Sequence, residues 1–340
     1  MERQLNYLQS LRESLMQEMR RDPDVVVLGE DIRQSLRGIT KGCLEEFGPD
    51  RVWDTPISEA GFVGLATGAA MAGLRPVIEF QIGTLLYVAL DQMSNQAQKL
   101  RYMMGGQGSI PVTYIVPGSG ARPGLAGQHS DHLYSLLIHG GFKVLMPSTP
   151  IDAKGLLTAA IREDDPVVLF APAAVMASRG IVPEGDVCMP LGKAAVRRKG
   201  SSLTVLTVAP LLADALKVAD SLEPSGIYVE VLDARSLLPF DYPLLVESVN
   251  KTGRLVVFDD CNRTCGFGAE ISAFAAENLF HVLLAPIIRV TRADVPVPFS
   301  TALDKHVLPR PEQLEQAIRQ SVEYRHKQVF DVALQGSRSL

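Results

Sequence analysis

The sequence predicts an α/β protein made of two open-sheet domains. Three observations carry that expectation. Short β-branched runs alternate with helical stretches through the first half, a second alternating set follows, and a stretch of proline, glycine and mixed charge from Pro183 to Gly200 separates them. Alternation of this kind implies parallel sheets with helices on both sides. The chain has 340 residues, enough for two ordinary domains. The expected division is a first domain over 1–185 and a second over 186–340.

Taken in order, Met1 to Arg21 reads as an amphipathic helix with Leu8, Leu11, Leu15 and Met19 on one face. The first-half strands are expected at Val25–Leu28, Arg51–Trp53, Val77–Phe80, Val112–Val116, Val144–Met146 and Val167–Phe170. Most are almost wholly apolar, as strands buried on both faces must be. The helices between them run from about Ala60 to Ala72 and from Tyr87 to Met104, stopping at Gly105-Gly106. Another starts at Ser148-Thr149-Pro150 with Asp152 following, which supplies a cap, an N1 proline and a first-turn acid. In the second half, strands are expected at Leu203–Val208, Tyr228–Leu232, Leu255–Phe258 and Ile287–Val290. Helices are expected near Leu211–Leu222, Tyr242–Asn250 and Gly268–Asn278.

Composition removes several function classes. The net charge is −5 and no basic tract is present, which argues against a nucleic-acid partner. The longest apolar run, Ala60 to Leu74, is rich in glycine and shorter than the roughly 18 residues a membrane span requires. The N-terminus has no export signal pattern. Cys43, Cys188, Cys261 and Cys265 lack the second Cys or His pair of a zinc site and read as free thiols, suited to a reducing compartment. Together these features point to a cytoplasmic protein that binds neither nucleic acid nor membrane.

In open α/β sheets, ligands bind beyond the carboxyl ends of the strands. That rule selects Glu30 in Gly29-Glu30-Asp31, Glu59 in Asp54-Thr55-Pro56-Ile57-Ser58-Glu59, Gln81 after Glu79-Phe80, and His129 at the end of the glycine-rich loop from Gly118. Each has a bland alternative. Glu59 also suits the first turn of a helix, where an acid favours the dipole. Glu30 reads equally as a solvated loop acid, Gln81 as a ligand of local backbone, and His129 as an ordinary loop histidine. Their convergence on one edge of one sheet is what singles them out. Gly61, Gly64 and Gly68 lie within a helix instead of directly after a strand, so they suit close helix packing rather than a dinucleotide turn. The Gly118–Gly127 loop lacks the Lys-Ser/Thr ending of a Walker phosphate loop.

These segments resemble the beta subunits of the thiamine-diphosphate-dependent decarboxylating component of 2-oxoacid dehydrogenase complexes, a transketolase-like family. The resemblance rests on Asp54-Thr55-Pro56-Ile57-Ser58-Glu59, on Gly68-Ala69-Ala70-Met71-Ala72-Gly73-Leu74-Arg75-Pro76 and on Gly29-Glu30-Asp31. Ala126-Gly127-Gln128-His129-Ser130, Asp152-Ala153-Lys154-Gly155-Leu156-Leu157 and Arg289-Val290-Thr291 with Pro296-Val297-Pro298 extend it. It runs in order over roughly residues 4 to 322. It implies a pyrimidine-binding domain followed by a transketolase-type C-terminal domain. It also implies that Glu59 bonds the ring nitrogen of the cofactor's aminopyrimidine and relays a proton there, with Glu30 as a neighbouring acid of the relay. Ile57 is implied to approach the cofactor through its backbone, Gln81 as a polar cofactor neighbour, and His129 as an aid to acyl transfer onto the lipoyl group.

The chain departs from that pattern at Leu85, where the family usually stacks Phe or Tyr on the pyrimidine. It departs again at Ala173-Ala174-Val175-Met176 and at Asp260-Cys261-Asn262-Arg263. The family's Gly-Asp-Gly motif for diphosphate and magnesium is missing from the sequence. The resemblance therefore implies that the magnesium ligands sit on a separate alpha subunit, in an alpha2–beta2 heterotetramer. The expected activity is oxidative decarboxylation of a 2-oxoacid, pyruvate first, with acyl transfer to lipoyl-lysine on an acyltransferase core. The alternatives are an acetoin or branched-chain 2-oxoacid dehydrogenase beta subunit, half of a split transketolase, or a non-catalytic scaffold subunit.

Overall fold

The computed structural model describes residues 3–122 and 124–325. The first two residues of the expected N-terminal helix and the end of the expected second domain from 326 lie outside the described residues. The strands are β1 Gln4–Asn6, β2 Val25–Gly29, β3 Val52–Asp54, β4 Arg75–Glu79, β5 Thr113–Ser119, β6 Lys143–Leu145 and β7 Val167–Pro172. They continue as β8 Arg179–Ile181, β9 Ala195–Arg198, β10 Leu203–Thr207, β11 Val229–Asp233, β12 Ser236–Leu238, β13 Leu255–Asn262 and β14 Ile288–Arg292.

All ten expected strands are present, in two sheets. One sheet has the order β12-β6-β7-β5-β4-β2-β3, and the other the order β14-β13-β10-β11-β9. Pairing is parallel throughout except at β12 and β9, which are antiparallel edges, and in the separate β1–β8 ribbon. The four strands the sequence did not suggest are these short antiparallel pieces. β9 reads Ala-Val-Arg-Arg, and tertiary pairing rather than its own pattern makes it a strand.

Side chains alternate across the first sheet with the period of two that strands impose. Val25, Val27, Val77, Ile115, Val167 and Leu169 face a core shared with Leu11, Leu15 and Met19 of the helix Tyr7–Arg21 and with Leu157 of the helix Pro150–Arg162. Leu28, Ile78, Tyr114, Val116, Val168 and Phe170 face the other way. That second core continues without a break into Leu206, Val208, Leu232 and Val257 of the second sheet. The far face of the second sheet is closed by Leu212–Leu222 and Pro311–Glu323. The last of these helices was not expected, although Pro311 at N1 and buried Leu314, Ala317, Ile318 and Ser321 give it a clear start and face.

The cap at Thr149 is as expected: its side chain accepts from the Asp152 N–H, with Pro150 at the first position. The expected single helix from Tyr87 to Met104 is instead three pieces: an α-helix over Leu86–Asp91, a π-helical turn over Gln92–Gln98 and an α-helix over Lys99–Met103. The wider turn points Met93 and Ala97 into the core while Gln92 lies against Gly64 of the neighbouring helix. Local propensity does not separate an i→i+5 turn from an i→i+4 one.

The 7–21 and 150–162 helices are also joined by polar contacts. Ser14 and Thr158 hydroxyls meet at 2.8 Å, and Arg162 pairs with Glu18 at 2.7 Å. Lys154 is fully buried; its ammonium donates to Glu13 at 2.6 Å and to the carbonyls of Gly185 at 2.7 Å and Pro183 at 3.2 Å. It thereby ties the start of the inter-sheet stretch to the first sheet's helix layer. Removing one partner of a buried pair costs more than replacing it by an apolar group of the same volume. Glu13 keeps Arg3 as a partner, which lowers the penalty. We expect Lys154→Ala to cost about 3 kcal/mol in urea unfolding and Lys154→Met less than half of that. Equal losses in the two variants count against the ion pair as the cause.

Candidate active site

A parallel sheet buried on both faces leaves polar side chains room only at its strand ends. β2 ends at Gly29, with φ of +148°, where an added Cβ would lie 2.4 Å from the Glu79 carbonyl at the end of β4. Glycine is required there, and the close approach brings Glu30 beside the next strand. Glu59 opens the helix Glu59–Met71 that follows β3. Both carboxyls are buried, 9% exposed for Glu30 and 5% for Glu59.

The two acids are within hydrogen-bonding reach of each other. Burial raises the Glu30 carboxyl above its ordinary range, and the charges of Glu59 and Asp31 push it further, with a hydrogen bond to Glu59 in the same direction. Glu30 therefore favours keeping its proton more than a free carboxyl does. Gln81 braces it: its amide donates to the Glu30 carbonyl at 2.6 Å, and its oxygen accepts from Arg37 Nε at 3.1 Å.

The structure brings Glu30, Glu59 and Gln81 into one group. His129 lies on the loop that follows β5. It is exposed, on a turn over Gly127–His129, and its loop reaches the sheet end through a hydrogen bond from the Thr84 hydroxyl to the Gln128 carbonyl. Ile57 is 85% exposed in the extended segment before Glu59. Leu85 ends a short 3₁₀ turn over Gly83–Leu85 and packs partly into the core. Beside the histidine loop is a cavity of about 650 Å³, lined by Thr84, Tyr87, Gln128, Asp131, Asn262 and Arg292. It opens between the two domains rather than over the carboxyl pair.

Two groups at this site escaped the sequence reading. Arg37 comes from an irregular stretch with no motif around it. Glu79, 1% exposed, lies at the end of a strand whose inner members Pro76, Val77 and Ile78 are apolar, and an acid in that position was the available signal. Burial pushes its carboxyl up to about 8, against which the Arg37 charge acts only partly, and its Oε2 has no hydrogen-bond partner.

The domain pattern agrees with this geometry. Residues 3–176 match the transketolase pyrimidine-binding domain and residues 192–314 the transketolase C-terminal domain. The acetoin:2,6-dichlorophenolindophenol oxidoreductase subunit beta of Bacillus subtilis is 40% identical over 330 residues, which cover 92% of this chain and 96% of that one. The pyruvate dehydrogenase E1 component subunit beta of Rhizobium meliloti is 40% identical over 315 residues, 92% of this chain and 68% of that one. This chain belongs to the pyruvate and acetoin dehydrogenase beta-subunit family. A split-gene transketolase, described as an inactive beta4 tetramer, aligns with a TM-score of 0.75 over 92% of this chain and 97% of its own. At 21% identity that likeness speaks for the fold alone. The candidate site is thus the sheet end of a transketolase-type fold, where Glu30, Glu59 and Glu79 are buried.

Glu79 gives that site a measurable pH signature. Its folded-state value of about 8 lies above the ordinary 4.5, so between those pH values the folded chain keeps a proton that the unfolded chain has released. Its contribution to stability is therefore full below about pH 4.5 and lost as pH rises towards 8. We expect Glu79→Gln to raise stability over the parent at pH 8 by on the order of 2 kcal/mol and to bring little gain at pH 5. Urea midpoints at the two pH values measure this; a pH-independent difference rules out the buried proton.

Proposed function

We propose that this chain is the beta subunit of a 2-oxoacid dehydrogenase, with pyruvate as the first candidate substrate, that binds the aminopyrimidine end of thiamine diphosphate. The observation that carries the reading is the buried Glu30–Glu59 pair at the carboxyl end of the first sheet. A shielded carboxyl holding a proton suits a ring nitrogen that must be bonded and relayed through. Glu30 Oε1 is buried without a partner, which fits a site completed by a further polar group. When bound, thiamine diphosphate supplies the electron sink that decarboxylation of a 2-oxoacid requires.

In this reading Glu59 holds and passes the proton at the pyrimidine nitrogen, and Glu30 keeps that proton shared. Gln81 fixes Glu30 by gripping its backbone. Ile57 offers its exposed backbone segment to the ring, and Leu85 lies near it in place of a stacking aromatic. His129 gives a proton at the lipoyl sulfur during transfer to the acyltransferase core. The diphosphate and magnesium ligands we assign to an alpha subunit, because this sequence has no Gly-Asp-Gly. The exposed apolar side chains Leu65, Met71, Tyr87, Val88, Tyr102 and Met103 support burial against partner subunits in an alpha2–beta2 assembly. We place the division between the two domains at 185/186 and the site of action in the cytoplasm. Acetoin is the second candidate substrate, favoured by the oxidoreductase beta subunits of Bacillus subtilis and Cupriavidus necator, each 40% identical.

Two outcomes test this. Calorimetry on the isolated chain should give weak or undetectable binding of thiamine diphosphate with or without magnesium; micromolar, magnesium-dependent binding defeats the split site. In the assembled enzyme, Glu59→Gln should abolish both decarboxylation with an artificial electron acceptor and transfer to a lipoyl domain. His129→Ala should keep part of the first reaction and lose roughly 100-fold of the second. Equal losses in the two assays assign His129 to the cofactor or to substrate binding instead.

A further inference from the structure

The loop that carries His129 belongs to the first domain, yet both of its ends are held by one ion pair of the second. Asp260 on β13 and Arg292 on β14 are each 3% exposed. Asp260 Oδ1 accepts from Arg292 Nε at 3.2 Å and from Nη2 at 3.0 Å. One carboxylate oxygen and one guanidinium nitrogen remain for other partners. The oxygen, Oδ2, accepts the Ala121 N–H at 3.2 Å, at the start of the loop. The nitrogen, Nη1, donates to the Ser130 carbonyl at 2.8 Å, at the loop's end and one residue beyond His129. The loop neck is closed internally by the Ser130 hydroxyl, which accepts from the Arg122 N–H at 3.1 Å and donates to the Arg122 carbonyl at 3.2 Å.

The surroundings keep this arrangement in place. His132 Nε2 lies 3.5 Å from Asp260 Oδ2, and Asp131 Oδ1 lies 3.8 Å from Arg292 Nη1. Gly120, with φ of +79°, lets the His132 ring in; an added Cβ would lie 2.2 Å from its Nε2. Farther out, Gly127 is pressed against Pro296, where an added Cβ would lie 3.0 Å from the proline Cβ. Burial opposes ionisation of Asp260, but the His132 ring and the Arg292 charge hold it below the usual carboxylate range. The pair thus stays charged at neutral pH. A buried ion pair is weak evidence for stability, because desolvation offsets most of its attraction. Here its spare hydrogen-bonding capacity is directed at the two ends of one loop.

We propose that Asp260 and Arg292 are positioning residues for His129: a clamp in the C-terminal domain that sets where the histidine loop stands over the site. The proposal rests on the reading of His129 given above. It makes the docking of the two domains part of the catalytic geometry, since a shift of β13 and β14 carries the loop with it. A misplacement of about 1 Å is enough to cost up to 10²-fold in rate.

The test is a cycle in the assembled enzyme, with Arg292→Met, Arg292→Lys and His129→Ala assayed singly and combined, using both the artificial electron acceptor and a lipoyl domain. Arg292→Met should lower the lipoyl reaction about 10-fold or more and the artificial-acceptor reaction less. Arg292→Lys, which keeps the charge against Asp260, should recover part of the loss. In a His129→Ala background, Arg292→Met should cause little further loss. Fully additive losses, or an assembled Arg292→Met enzyme with an unchanged lipoyl reaction, overturn the clamp. Should Arg292→Met not assemble, Arg292→Lys carries the same cycle with a smaller effect. If His129→Ala alone alters neither assay, the role given to His129 fails, and amide hydrogen exchange then decides the clamp. Faster exchange over 121–130 in the Arg292 variants sustains it, and unchanged exchange overturns it.

Discussion

Glu30 and Glu59 are forced together by strand geometry, and burial beside Glu59 holds the Glu30 carboxyl above its ordinary range. β2, β3 and β4 run parallel and end at one level, with β2 pairing to both neighbours. Whatever follows those strands converges on the same point. The faces of the sheet are closed by two apolar cores, so acidic side chains have nowhere to go except that edge. Two ionised carboxyls in such a place repel each other and lose solvation at once. The result is a raised Glu30 and a site that retains hydrogen. Gln81, just past β4, prevents the usual escape, in which the loop swings out to water, because its amide holds the Glu30 backbone and its oxygen is held in turn by Arg37.

The second domain fixes the first at two further points. Near the end of β6, Asp152 pairs with Arg197 and with Arg235 at 3.0 Å, and Asp233 takes Arg197 Nη2 at 2.8 Å and the Ser148 hydroxyl at 2.7 Å. At the loop of His129 the pair is Asp260 and Arg292. Between these points the domains share one continuous apolar core. The core provides the driving force for docking, since apolar burial is non-directional and scales with area. The ion pairs provide direction: they are satisfied in one register only. β12, a second-domain strand added antiparallel to β6, follows the same logic, extending the first sheet with residues that belong to the other half.

What the sequence made legible follows from where physics writes a pattern. Strands buried on both faces must be apolar throughout, so Val25–Leu28 and Val167–Phe170 stood out from their surroundings. β8 and β9 carry arginines and pair only because a partner edge happens to lie beside them, and nothing local marks them. The π turn at Gln92–Gln98 was invisible because its side chains satisfy a helical period closely enough. Three candidate residues, Glu30, Glu59 and Gln81, came together as the strand-end rule required. His129 is exposed on its loop, whose two ends are bonded by Asp260 and Arg292, more than a hundred residues away in sequence. Glu79 shows the opposite case: it was in view at the end of its strand, but burial, which decides its chemistry, is a property of the packed sheet.

The exposure of the site is itself informative about its missing half. Beside two acids buried to within a few per cent, Ile57 stands 85% exposed, two residues before Glu59. An isolated apolar residue on a surface needs no explanation of its own, but whatever covers Ile57 also covers the acid two residues along the chain. Water at that edge would lower Glu30 towards its ordinary range. A second apolar surface laid over Ile57 would exclude that water and strengthen every electrostatic contact beneath it. Burial already raises Glu30 in the isolated chain, and covering the edge would raise it further. On the proposed reading, catalytic competence and subunit assembly depend on the same edge of the sheet, because Glu59 and the exposed Ile57 are two residues apart in the chain.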